Sequence, residues 1–309
     1  MPNVYTVLVT YNAMPWLAAT MHAYLSHLPA SHLLVVDNAS DDETTAWLSD
    51  NYPEVWVARQ SQNLGFGKAN NIGIAEALRR SADYVFLLNQ DAYLQNNCIE
   101  VLVRLAEQNP QYGIISPVHL QADGRGLDTR FAKYIQASKN GPHTLEQIQA
   151  ATCTLYELPF VNAAGWLLTR QCLHTVGGFN PLFFHYGEDE NYCQRVLFHG
   201  LKIGYAPKAF LIHDRGQTIP VQGMYQSKAH FERGLKIRCA NVLEKNPEAI
   251  IKSKRKHVHK MALRSALLLQ WANAKHWYGL ATHLKTFEKE ILAAWKSDQQ
   301  KGQHYLANV

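Results

Sequence analysis

Three consecutive acids, Glu188, Asp189 and Glu190, stand between an aromatic loop carrying Phe183, Phe184 and Tyr186 and a run of helical period. Adjacent like charges raise one another's pKa, and partial burial behind the aromatics raises them further, as suits a general base working near neutral pH. The trio would equally serve as an acidic first helical turn, favoured by the helix dipole. More polar groups recur at the ends of apolar runs: Thr10-Tyr11-Asn12, Asp37-Asn38, Asn63-Leu64-Gly65-Phe66-Gly67 and Asn89-Gln90-Asp91. Asp37 could accept from a ribose hydroxyl or a pyrimidine N–H, or could simply cap the next helix. Gly65 and Gly67 would let backbone approach a phosphate at a helix start. The third glycine of a dinucleotide fingerprint is missing, because Asn70 stands there, and this disfavours a nicotinamide enzyme. Asp91 offers oxygen to a hard cation such as Mg²⁺ or Mn²⁺. His213 is either a further ligand, a donor to a diphosphate, or a structural histidine.

These polar groups follow short, continuous apolar runs at 6–10, 33–36, 55–58 and 84–88, which read as buried parallel strands. Segments of helical period lie between and after them, at about 14–28, 43–50, 67–80 and 97–108. Such alternation predicts a doubly wound α/β sheet, which takes ligands at the carboxyl ends of its strands. Ser40 with Glu43 predicts a capping box for the second helix. Beyond it the expected elements are a strand at 113–118, a polar loop layer at 121–158, a strand at 160–169, a helix at 188–199, and short strands at 202–205 and 209–212.

A chain of 309 residues, 47% hydrophobic, can bury a full core, which excludes a disordered class. No apolar run reaches membrane-spanning length and the first residues lead directly into a strand, so a cytoplasmic protein without an export signal is expected. Cys98, Cys153, Cys172, Cys193 and Cys239 are scattered and read as free thiols. Charge is uneven: residues 1–249 hold 19 Lys/Arg against 22 Asp/Glu, whereas 250–309 hold 11 against 3. Either the basic tail meets something anionic, such as the inner face of the cell membrane, or it presents a solvated helix face. Nucleic acid is not expected, because the basic stretch lacks interleaved aromatics. Trp277, Leu280, Leu284, Phe287, Ile291 and Trp295 form a stripe expected to pack on the body of the protein or on a homodimer partner.

Taken in order, Val9-Thr10-Tyr11-Asn12, Val35-Val36-Asp37-Asn38-Ala39-Ser40, Asn63-Leu64-Gly65-Phe66-Gly67, Leu88-Asn89-Gln90-Asp91 and Gly177-Gly178-Phe179-Asn180 through Arg195 resemble the inverting family 2 glycosyltransferases. The rhamnosyltransferase-like branch, which builds bacterial surface polysaccharides, is the most similar, and the resemblance covers roughly residues 4–216. It implies a GT-A domain over 1–220, with a Rossmann-like, mainly parallel sheet flanked by helices. Residues 1–118 would bind the nucleotide-sugar, 119–220 would hold the acceptor and catalyse, and 221–309 would form a C-terminal helical extension. Implied nucleotide contacts are Thr10, Tyr11, Asn12 and Asp37, with Asn63, Gly65, Asn71 and Asn89 around the donor. Asp91 is the implied metal-binding acid, His213 a further metal or diphosphate ligand, and Asp189, flanked by Glu188, the base. The implied partners are a UDP- or dTDP-sugar, dTDP-rhamnose among them, a saccharide or lipid-linked acceptor, and a divalent metal.

Three positions depart from that pattern. Gln90 stands where branch members commonly have Pro, Asn89-x-Asp91 replaces Asp-x-Asp and leaves strict metal dependence open, and Asn191 replaces a second acid. Residues 121–158 and Trp166 are expected to shape the acceptor site. A nucleotidyltransferase matches less well, since Thr10-Tyr11-Asn12-Ala13 lacks a basic Gly-rich signature. A nonenzymatic nucleotide-binding scaffold is the alternative that Asn89 keeps open.

Overall fold

The computed structural model describes residues 2–152, 155–215 and 228–306. The chain forms two compact units, Met1–Thr218 together with Lys301–Val309, and Ile219–Gln300. Strands of the first unit are β1 (Val4–Thr10), β2 (Leu33–Asp37), β3 (Trp56–Arg59), β4 (Tyr84–Asn89), β5 (Ala92–Gln95), β6 (Tyr112–Leu120), β7 (Tyr156–Glu157), β8 (Gly165–Thr169) and β9 (Lys202–His213). Among the described residues they make one sheet in the order β3-β2-β1-β4-β8-β6-β9-β5, with β7 paired to β9.

β1 to β4 are parallel, linked by α1 (Met14–Leu25), α2 (Thr44–Asn51) and α3 (Phe66–Arg79), and α4 (Cys98–Gln108) follows β5. Alternate residues enter opposite cores. Val7, Leu34, Val85 and Leu87 pack with Ile74 and Ala77 of α3. Leu8, Val35, Phe86 and Leu88 pack with Leu17 and Met21 of α1 and Leu102 of α4. With both faces covered, these strands have no polar side, and the apolar runs in the sequence are therefore continuous.

The second half of the sheet is mixed. β8 runs antiparallel to β4 and β6, β6 parallel to β9, and β5 antiparallel to β9. β9 is one strand where two were expected: a register shift against β6 between Pro117 and Val118 absorbs the irregularity without ending the pairing. The 121–158 segment contains α5 (Thr129–Ile135) and α6 (Leu145–Ala150) as well as loops, each helix too short to show a period but held at its start by Asp128 or Thr144. The strand expected from residue 160 begins only at Gly165. The capping box expected at Ser40 does not form. Glu43 is the N-cap residue of α2, and the Ser40 hydroxyl instead donates to Asp37 Oδ1 at 2.5 Å. After α7 (Arg170–Val176), the acidic trio opens α8 (Glu188–Phe198), as its spacing predicts.

The second unit contains α9 (Lys228–Cys239), α10 (Pro247–Leu267) and α11 (Trp271–Asp298). Part of its Trp277-to-Trp295 stripe is covered within the unit: Leu280 packs with Val258 of α10 and Phe231 of α9, and Trp295 donates to the Glu244 carbonyl at 3.1 Å. No described helix is long and apolar enough to cross a membrane. Cys98, Cys172, Cys193 and Cys239 are free and buried, and Cys153 lies outside the described residues. Residues 301–306, expected in the helical extension, pack into the first unit instead. Gly178 N–H donates to the His304 carbonyl at 2.8 Å, Gly302 N–H donates to the Thr175 carbonyl at 3.0 Å, and Leu306 joins the core.

Candidate active site

At the carboxyl ends of β1 and β4 lies a cleft of about 360 Å³ lined by five expected residues, Tyr11, Asn63, Gly65, Asn89 and Asp91. Asn38, Phe66, Gln90, Phe184 and His185 also line it. A larger cavity of about 780 Å³ in the helical unit is lined by His230, Arg238, Lys254 and His257 but by no carboxylate, and one of about 440 Å³ that includes Asp83 and Glu107 lies at the amino ends of β1 and β4, away from the edge where such a sheet takes its ligands.

The cleft floor is fixed by side-chain-to-backbone clamps. Tyr11 N–H donates to Gln90 Oε1 at 2.7 Å while Gln90 Nε2 donates back to the Tyr11 carbonyl at 3.1 Å, tying the end of β1 to the end of β4. A proline at position 90 would have neither group, so the departure noted in the sequence has a structural use. Asn38 Nδ2 donates to Asn63 Oδ1 at 2.9 Å, and Asn38 Oδ1 accepts from Leu64 N–H at 2.7 Å, which sets the turn into α3. Gly65 in that turn has φ +81°, and a Cβ there would meet the Phe184 carbonyl oxygen at 1.9 Å. Only glycine lets the aromatic loop close over this edge of the cleft.

Four expected contacts serve the scaffold instead of lining the cleft. Asp37 is 0% exposed. Its Oδ1 accepts from Thr10 Oγ1 at 3.0 Å and from Ser40 Oγ, and its Oδ2 accepts from Ser40 N–H at 3.0 Å. Asn12 takes φ +49° and links to Ser40 Oγ through its N–H and to Asp41 N–H through its Oδ1. Asn71 grips the backbone of Phe179 from both sides, accepting from its N–H at 2.7 Å and donating to its carbonyl at 2.8 Å.

Asp91 and His213 do meet. Pairing of β5 with β9 sets Ala92 opposite His213, and Asp91 Oδ1 lies 3.4 Å from His213 Nε2. The Asp91 side chain keeps 22% of its surface exposed. Nearby Asn89 Oδ1 is buried without a hydrogen-bond partner, an oxygen that a donor or cation could use. No group of three or more His, Cys, Asp or Glu among the described residues could hold an ion by itself. One cleft-lining carboxylate with a buried imidazole beside it fits a divalent ion that takes its remaining ligands from a diphosphate and water.

Asp189 sits at the start of α8, immediately after the Phe184-His185 stretch that lines the cleft. Burial pushes its carboxyl up to about 6; N–H groups of Glu190 and Ala163 pull it down and the Glu190 charge adds to the rise. Burial also raises Glu190. Glu188 is buried and, like Asp189, is not a lining residue. Tyr134 of α5 is pushed up to about 12, first by burial and then by the charge on Asp189, so the 121–158 segment lies electrostatically beside the acid. Trp166 has no such position. It is fully buried, stacked on Phe179 with ring centroids 6.0 Å apart, which removes it from any acceptor site. Arg195 donates to the carbonyls of Gly178 and Val176 and lies 5.5 Å over the Tyr192 ring, holding the loop that leads to Asp189 from below.

The fold is that of the GT-A glycosyltransferases. Staphylococcus aureus TarS 1-349 in complex with UDP-GlcNAc superposes with a TM-score of 0.57 at 14% identity, covering 96% of this chain and 90% of that one. GalNAc-T7 with UDP, GalNAc and Mn²⁺ superposes with a TM-score of 0.54 at 16% identity, over 81% of this chain and 51% of that one. The chain belongs to the family described as Glycosyltransferase like family 2, whose model matches residues 2–256. Its relatives include the dTDP-rhamnosyl transferase RfbF of Shigella flexneri, 25% identical over 216 residues, 69% of this chain and 70% of that protein. They also include the N-acetylglucosaminyl-diphospho-decaprenol L-rhamnosyltransferase of Mycobacterium tuberculosis, 26% identical over 234 residues, 69% of this chain and 76% of that protein. The protein is thus a glycosyltransferase, and neither the scaffold nor the nucleotidyltransferase reading stands.

Proposed function

We propose that the protein is an inverting glycosyltransferase that moves rhamnose or a similar sugar from a dTDP- or UDP-sugar to a hydroxyl of a saccharide or lipid-linked acceptor in bacterial surface polysaccharide synthesis. The observation that carries this reading is the cleft at the strand ends, edged by the loop that leads directly into Asp189. The donor nucleotide would lie over Tyr11, Asn63 and Gly65, the diphosphate toward Asn89 and Asp91. Asp189 takes the proton from the acceptor hydroxyl, that oxygen bonds to the anomeric carbon, and the bond to the diphosphate oxygen breaks on the opposite face. Positioning and charge stabilisation supply most of the acceleration. Asp91 and His213 would hold Mg²⁺ or Mn²⁺, which when bound offsets charge on the departing diphosphate. The two rhamnosyltransferase relatives support the choice of sugar, and the second one's name supports a lipid-linked acceptor.

The test is a donor screen by thermal shift across dTDP-, UDP- and GDP-sugars, followed by turnover of the stabilising donor to free sugar and nucleoside diphosphate. A shift with dTDP-rhamnose and slow hydrolysis of it support the reading. Stabilisation by a GDP-sugar alone would replace the donor, and absence of turnover with every donor would remove the transfer reaction.

A further inference from the structure

The hairpin of α10 and α11 carries a surface that contributes no residue to the lining of the candidate cleft. Residues 249–287 contain eight Lys/Arg and no Asp or Glu. Where α10 ends and α11 begins, large apolar side chains face outward: Leu263, Leu267 (84% exposed), Leu268, Leu269 (72%) and Trp271 (66%). They are not part of the unit's own core, which forms around Val258, Leu280 and Ala281. A contiguous bare apolar patch of this kind marks a binding surface.

Its surroundings indicate what binds there. Leu263 and Leu267, one turn apart, line a groove together with Lys256, Lys260 and Arg264, themselves one turn apart. At 1.5 Å per residue, Arg264 lies roughly 6 Å and Lys260 roughly 12 Å along the axis from Leu268. Apolar side chains that enter the acyl boundary by about 5–10 Å would leave those cations at the level of lipid phosphates. Trp271 and Tyr278, both exposed, are the amphipathic rings favoured at that level. A second copy of the chain is a poor occupant, because a symmetric contact would bring two basic tips together.

We propose that the α10–α11 tip, from Leu263 to Trp271, docks on an anionic lipid bilayer, inserting its leucines while Lys260 and Arg264 bind headgroup phosphates and Lys256, one turn further back, adds electrostatic attraction to the charged surface. Neither signal suffices alone: a few leucines give marginal partition, and surface cations are released by salt. The docking surface lies within the helical unit and does not depend on the identity of the donor sugar.

The full chain is sedimented with vesicles of phosphatidylcholine alone or mixed with phosphatidylglycerol. Binding is expected to the mixed vesicles only, weakening as salt rises, with a blue shift of tryptophan emission that Trp271→Phe reduces. The triple variant Leu267→Ser, Leu268→Ser, Leu269→Ser should lose at least about tenfold in vesicle affinity. Lys256→Gln, Lys260→Gln, Arg264→Gln should lose as much and flatten the salt dependence. Each variant should keep its helical circular dichroism and its donor hydrolysis, which separates failure of docking from failure of the transferase reading. Equal binding to both vesicle types, wild-type affinity in either variant, or leucine-dependent self-association with unchanged vesicle binding would overturn the proposal.

Discussion

The ends of β2 and β4 each place an aspartate where a doubly wound sheet takes its ligands, and the fold treats them in opposite ways. At β2, Asp37 is sealed from solvent and accepts three hydrogen bonds from Thr10 and Ser40, so its oxygens are committed to the end of β1 and to the turn between β2 and α2. At β4, Asp91 meets a single imidazole and remains partly exposed in the cleft. Position at a strand end makes a carboxylate eligible for ligand chemistry. Availability depends on whether neighbouring donors have already taken its oxygens.

That contrast can be broken by substitution, and the largest expected effect lies at a third acid that faces neither fate. Asp189→Asn should lower kcat by about 10²–10⁴-fold with nucleotide affinity unchanged, the cost of losing a general base. Retained turnover would move the base to another residue. Asp37→Ala should act on the fold: it strands the Thr10 and Ser40 donors, which costs about 2–4 kcal/mol in urea unfolding. A loss of donor affinity at unchanged stability would show that Asp37 is a ligand contact after all. Asp91→Ala should do the reverse, leaving stability near wild type while donor affinity measured with Mn²⁺ falls about tenfold.

Smaller effects sharpen the same contrast. A carboxylate acts as a base only when ionised, so with Asp189 in the proposed role kcat should drop about tenfold per unit below pH 6 and level off above it. An inflection nearer the ordinary carboxylate range would mean that burial does not tune this group. The raised pKa also means that the folded chain holds this proton more tightly than the unfolded chain, so Asp189 reduces stability as pH rises from 3.8 to about 6. Asn89→Asp, which restores a paired acid beside Asp91, should tighten Mn²⁺ binding without nucleotide by only a few-fold, about 1 kcal/mol. No change there would exclude residue 89 from the metal site.

Continuous apolar runs made the parallel half of the sheet legible, because both faces of β1, β2 and β4 are covered. The cleft at their carboxyl ends followed from the same alternation. β5, β7, α5 and α6 were not visible, since elements of two to seven residues cannot display a period. Ser40 was assigned to α2 because a local capping rule knows nothing of a carboxylate three residues back in the chain. Gln90 was seen as a departure from proline, but its clamp on Tyr11 exists only because β1 pairs with β4 and sets Val9 opposite Asn89. The stripe on α11 gave the buried face but not the part that α9 and α10 play in covering it, as a period fixes which side is hidden and not what hides it.

Residues 301–306 give the chain an unusual order of assembly. In chain order the helical unit is inserted into the first unit, so residues 301–306 complete a body that residues 2–215 build. A Cβ on Gly177, which has φ +80°, would meet the His304 carbonyl oxygen at 2.3 Å, and Tyr305 covers Arg195 at 5.2 Å. The first unit therefore stays unfinished during synthesis until residues 301–306 have followed both helices of the hairpin out of the ribosome, and a break in the chain after Gln300 would damage the loop that leads to Asp189 while sparing every residue of the helical unit.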